Sequence, residues 1–200
     1  MLSSRRALTV LLCAVAASSL AACGQATQVG AAAVVGNERI TVSELQREVR
    51  EVAEEAPGGG EATGDQSAVQ QNILQRLIQH YLLEELAREE GVEVTAAEID
   101  TFVEEQIIAQ APDGDIGPLL AQNSLTERTM RRAVRDQLIA EKLIDELGGN
   151  QQLVQLLTEK SEELGVTVSP RYGSWDGIML DVSSGSISTP AARPAETPTG

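Results

Sequence analysis

Three prospective helix starts in this 200-residue chain carry a hydroxyl residue followed three positions later by glutamate: Thr41 with Glu44, Thr95 with Glu98, and Ser124 with Glu127. At that spacing the hydroxyl can accept from a first-turn amide while the carboxylate accepts from the hydroxyl residue's own amide, so each pair marks a helix start. Each pair leads into apolar residues repeating at about 3.6 positions, and that combination confines the chain to a mostly α fold. The first helix carries Leu45, Val49 and Val52 and ends before Pro57 and the Gly58-Gly59-Gly60 run. A second, from Gln66 to Glu90, places Val69, Ile73, Leu74, Leu77, Ile78, Tyr81, Leu82 and Leu86 on one broad face and stops at Gly91. The third shows Ile99, Phe102, Val103 and Ile107 before Pro112. The fourth shows Met130, Val134, Leu138, Ile139, Leu143 and Leu147 before Gly148-Gly149. A fifth runs from near Asn150 through Leu153, Leu156, Leu157 and Leu164 to Gly165. Five helices with short connections are expected, and Phe102, Met130 and Leu138 are assigned to their core.

The two ends of this helical stretch read as extended chain. Val34-Val35, a turn at Gly36-Asn37, and Arg39-Ile40 suggest a short strand or hairpin. Val166, Val168 and the Pro170-Arg171-Tyr172-Gly173 turn suggest an extended C-terminal segment ending near Trp175. From Ser183 onward the Ser, Thr, Pro and Ala content gives a core nothing to bury, so residues 183–200 are expected to be a disordered tail. The folded domain is placed at 34–182.

Residues 1–22 have a different character. Arg5 and Arg6 precede an apolar stretch from Ala7 to Val15 and a small-residue region through Ala22, the anatomy of an export signal. The stretch falls short of the roughly 20 apolar residues that span a bilayer. Leu20-Ala21-Ala22-Cys23 closes it and resembles a bacterial lipobox, which implies cleavage before Cys23 and acylation of its thiol. An ordinary signal cleaved at an A-x-A site is the alternative, and Ser4-Arg5-Arg6 leaves both the general and the twin-arginine export routes open. Residues 23–33 read as a lipidated tether, small and polar from Gln25 to Ala32, whose ten or so residues could reach roughly 35 Å if extended. Cys13 would leave with the signal and Cys23 would carry lipid, so no disulfide framework is available and the core alone must hold the fold.

Without Arg5 and Arg6, 13 basic residues face 30 acidic ones, a net charge of −17. So acidic a surface repels phosphate backbones and lacks a polybasic patch for anionic lipid, which excludes nucleic acid as a partner and leaves acyl chains as the membrane attachment. High charge serves solubility first, with a weak preference for basic partners as a second reading.

Enzyme chemistry finds little to stand on. His80, the sole histidine, lies inside the second helix without an evident nucleophile and reads as a boundary or core residue. No G-x-S-x-G elbow occurs, and no second histidine offers a zinc site. Glu84-Glu85, Glu104-Glu105 and the pair Glu85 and Glu89 read as solvated faces, and the Asp113-Gly114-Asp115 turn lacks the ligand spacing of an EF-hand loop. Gly58-Gly59-Gly60 has no following Lys-Ser/Thr and reads as a connection, not a phosphate loop. No catalytic residue, metal or cofactor is assigned. Tyr172 and Trp175, half of the chain's four aromatics, read as anchors for the C-terminal segment, or alternatively as a contact site for a bound polypeptide.

The order of elements resembles the N-terminal domain of SurA/PrsA-type extracytoplasmic chaperones. The resemblance rests on Val34-Val35-Gly36-Asn37-Glu38-Arg39-Ile40-Thr41, the helix from Leu77 to Ala87, and the junction from Gly91 to Ile99. Thr129 to Leu147 and the closing segment from Val166 to Trp175 complete it. It implies that the first strand pairs with the closing strand, and that the helices cradle unfolded or partly folded exported polypeptides. Relatives often carry a parvulin prolyl isomerase domain of about a hundred residues with a core of its own. Only Gly148 to Gly165 separate the helices from the closing segment here, and His80 stands alone, so prolyl isomerisation is expected to be absent. The expectation is a lipid-anchored chaperone-like protein on the outer face of the cell membrane. The alternative is a scaffold lipoprotein docking one envelope partner.

Overall fold

The computed structural model describes residues 30–55 and 66–181. The signal segment, Cys23, most of the expected tether, the Gly58-Gly59-Gly60 connection and the expected tail lie outside the described residues.

A hairpin opens the fold, with β1 (Ala31–Val35) antiparallel to β2 (Glu38–Thr41) across the two-residue turn Gly36-Asn37. The turn requires glycine: Gly36 has φ +57°, and a Cβ there would meet the Leu164 side chain at 3.0 Å. β1 begins at Ala31, so the last three residues of the stretch expected as tether are strand, buried against the core. On its other edge β1 pairs antiparallel with β3 (Thr167–Val168), giving the order β2-β1-β3 and joining the two ends of the domain. The closing strand is shorter than expected. After Val168 the chain turns away, and Trp175 belongs to a second small sheet of β4 (Ser174–Trp175) and β5 (Leu180–Asp181).

Among the described residues six α-helices follow the hairpin where five were expected. α1 (Val42–Glu55), α2 (Gln66–Glu90), α5 (Glu127–Leu147) and α6 (Asn150–Leu164) follow the sequence pattern. α3 (Ala96–Phe102) continues into a π turn at Val103–Ile108, and the added helix is α4 (Gly117–Gln122). At six residues α4 is too short to show a period, and Pro118 in its first turn hides it further.

Capping also differs in one place. Thr95 and Glu98 close a reciprocal box at α3, and Thr41 Oγ1 accepts from the Glu44 amide at 3.0 Å. Ser124, however, sits at φ +49° in the preceding turn, so it cannot cap α5. That role falls to Thr126, whose extended backbone presents its hydroxyl to the Thr129 amide, with Thr129 Oγ1 accepting from the Thr126 amide in return.

Three apolar clusters share the two long helices. The hairpin, α1 and the first half of α2 enclose Ile40, Leu45, Leu74, Leu77 and Ile78 under a cover of Tyr172 and Leu180. The far end of α2 packs Leu86 and Ala87 on Ile139 and Leu143 of α5 and Leu153 of α6. A smaller cluster sets Val103 against Met130 and Val134, with Phe102, Ile107, Ile108, Leu120 and Leu138 partly buried around it. Among the described residues no helix is long and apolar enough to cross a membrane.

Candidate functional site

Residues four apart on a helix share a face, so α2 presents His80 and Glu84 one turn apart toward α5. His80 Nδ1 lies 2.7 Å from Asp136 Oδ1 on α5, with both side chains about four-fifths buried. Arg135 holds both oxygens of Glu84, from Nε at 2.5 Å and from a terminal nitrogen at 3.2 Å, and donates to the Val94 carbonyl at 2.8 Å. Those hydrogen bonds from Arg135, aided by its charge, hold the Glu84 carboxyl below its ordinary value against the opposing effect of burial.

One imidazole nitrogen and one oxygen from each of Glu84 and Asp136 lie within 4.8 Å of one another. An imidazole with two carboxylates is a donor set that divalent transition metals accept. Arg135 already neutralises Glu84, though, so an ion would have to displace a two-pronged guanidinium. The group reads more simply as a polar seam binding α2 to α5. In the sequence Glu84 stands out only beside Glu85. The His80 and Glu84 spacing was the available signal, whereas Asp136, on another helix, gave none.

The same face borders an open cleft of about 910 Å³ whose lining includes Tyr81, Arg88, Val92, Ile99 and Arg131. Farther along α5, Arg132 binds both oxygens of Glu48, a carboxylate buried on α1. The arginines in this region are largely matched by carboxylates, so the cleft shows no single-sign field of the kind that attracts a highly charged ligand.

Tyr172 and Trp175 are not brought to this cleft. Tyr172 is buried in the cluster beneath the hairpin, and Trp175 packs beside it, donating from Nε1 to Ser161 Oγ at 2.6 Å. Three glutamines at every fourth position of α2 grip the same C-terminal segment. Gln71 donates to the Tyr172 carbonyl at 3.4 Å, Gln79 donates to the Ile178 carbonyl at 3.1 Å, and Gln75 accepts from the Leu180 amide at 3.3 Å. Sequence reasoning followed the apolar residues of α2 and passed over this row, whose regular spacing was visible.

A second cleft, of about 640 Å³, lies between the π turn and α4. Ile107, Pro118 and the exposed Leu119 form its apolar lining, with Gln106, Gln110 and Gln122 around them. Asp113 at its lip has φ +56°, a left-handed conformation uncommon outside glycine.

A family model described as a SurA-like N-terminal domain matches residues 3–144. No curated protein and no solved structure matches the chain.

Proposed function

We propose a function from one premise: the chain belongs to the SurA-like N-terminal domain family, a chaperone-type family whose N-terminal module is non-catalytic. It holds non-native exported polypeptides at the extracytoplasmic face of the cell membrane, without prolyl isomerase catalysis, and is tethered there by acyl chains on Cys23. The family match carries this reading. Support comes from the lipobox Leu20-Ala21-Ala22-Cys23 for the anchor and from the open clefts along the helices for polypeptide binding. Holding works by reversible burial of apolar client segments, whose association needs no nucleotide and whose release follows from modest affinity.

On this reading lipid on Cys23 attaches the domain at its hairpin end, a placement supported by β1 being the first described strand and pairing with β3.

Suppression of aggregation by the purified protein, measured by light scattering with several unrelated unfolded proteins, tests the holding activity. Protection of all of them at near-stoichiometric ratio is expected. Protection of none, with stoichiometric capture of one native envelope protein, replaces this reading by the scaffold alternative. A Cys23→Ala variant should move to the soluble fraction and still protect clients, whereas retention of that variant in the membrane would refute the anchor.

A further inference from the structure

Between Arg88 and Arg128 the chain has no lysine or arginine, and acidic residues recur throughout. Glu98 and Asp100 are answered by Lys142 and Arg131 on α5. Glu104, Glu105, Asp113 and Asp115 have no ion-pair partner among the described residues. Asp113 and Asp115 line the cleft between the π turn and α4, whereas Glu104 and Glu105 lie on the π turn outside that lining. No basic side chain lines the cleft, so its two aspartates make a single-sign rim, unlike the balanced cleft at His80.

The lining fits a backbone as well as a charge. Gln110 donates to Gln106 Oε1 at 3.3 Å, which leaves the Gln106 amide group as a donor and the Gln110 carbonyl as an acceptor. On α2 the same residue type at the same spacing already holds the backbone of the segment from Tyr172 to Leu180, whatever side chains that segment carries. Leu119, 42% exposed, adds an apolar surface, and the π turn and the left-handed Asp113 are irregularities of a kind that gathers at binding sites.

We propose that this cleft seats a short extended stretch of client polypeptide, its backbone on the glutamine amides, a small apolar side chain against Leu119, and a lysine or arginine at the acidic rim. The proposal deepens the holding function and rests on it. It adds a selectivity that apolar burial alone lacks, because the two aspartates, without an ion-pair partner among the described residues, favour cationic segments and disfavour acidic ones.

The test is fluorescence anisotropy on the purified full chain with three labelled, unstructured peptides of equal length and apolar content, one cationic, one neutral and one acidic. The cationic peptide should bind at least ~10-fold tighter than the acidic one, and the difference should shrink in about 0.5 M salt. The exposed double variant Asp113→Asn/Asp115→Asn should lose ~5-fold or more for the cationic peptide only, while Asp145→Asn/Glu146→Gln on α5 changes little. Leu119→Ser should weaken all three peptides alike, with an unchanged circular dichroism spectrum verifying the fold. Equal binding of the cationic peptide by wild type and the Asp113→Asn/Asp115→Asn variant overturns the site while leaving the holding function intact. Failure of wild type to bind any peptide or protect any client overturns both. Self-association that Leu119→Ser abolishes, without an effect on peptides, assigns the cleft to a second copy of the chain and also overturns the proposal.

Discussion

Glu48→Gln would remove a charge that α1 buries against two arginines of α5. The Glu48 side chain is 3% exposed, with both oxygens on Arg132 at 2.9 and 2.8 Å and Arg128 at 3.5 Å. Glutamine keeps the volume but leaves Arg132 without its counter-charge, and removing one partner of a buried pair costs about 3–5 kcal/mol. Arg132 retains 20% exposure and Arg128 55%, so water can partly solvate the freed guanidinium groups, which points to the lower end, about 3 kcal/mol. For a domain of this size that lowers Tm by roughly 6–12 °C. The loss should depend on pH. Burial pushes the Glu48 carboxyl up, but the hydrogen bonds and charge of Arg132, joined by Arg128, outweigh it and hold the group below its ordinary value of 4.5. A carboxyl depressed in the folded state contributes fully above its unfolded value and loses that contribution as pH falls through the lower folded value. Urea unfolding followed by circular dichroism should therefore show a wide gap between wild type and variant at neutral pH that closes in acid. Glu48→Leu/Arg132→Met should recover most of the stability, since an apolar pair of similar volume avoids desolvating charge. A variant within about 0.5 kcal/mol of wild type at neutral pH, or a deficit that stays constant into acid, would refute the reasoning.

Leu77→Ala, at a 1% exposed position of α2, should cost about 3–4 kcal/mol in urea unfolding with an unchanged denaturant slope. Thr126→Ala should cost about 1–2 kcal/mol by removing the cap of α5, whereas Ser124→Gly should be neutral or slightly stabilising because glycine suits φ +49°. Equal losses at the two positions would show that the cap is wrongly placed. Carbon-detected titration should find the Glu98 carboxyl down at about 2, held there first by Lys142 and then by the Thr95 amide and hydroxyl. Lys142→Met should raise it, and an unchanged value would break that attribution.

Long periodic helices were legible because burial on one face repeats in the sequence. α2 was read from Gln66 to Glu90, and its Ile73, Leu74, Leu77, Ile78, Leu82 and Leu86 are buried. The family resemblance implies that the first strand pairs with the closing strand, and β1 and β3 do pair. What escaped was short or tertiary. α4 has too few residues for a period, β4 and β5 have two residues each, and the cap of α5 was misassigned because only the backbone angle of Ser124 disqualifies it. The clefts were illegible for a related reason. Asp136 meets His80, and Gln122 and Gln106 line one cleft, only after helices pack, and nothing in linear spacing joins them. The glutamine row on α2 and the four-residue step from His80 to Glu84 are polar features that spacing alone can show.

The position of β1 between β2 and β3 also fixes the order in which this domain can be completed. During synthesis from the N-terminus, the hairpin, α1 and α2 emerge first with one strand edge unpaired and their apolar cluster uncovered. The missing pieces, Thr167-Val168 for the edge and Tyr172 and Leu180 for the cover, lie at the far end of the described chain. Until they arrive the nascent protein displays open edges and apolar surface, and copies cut short before β3 should aggregate.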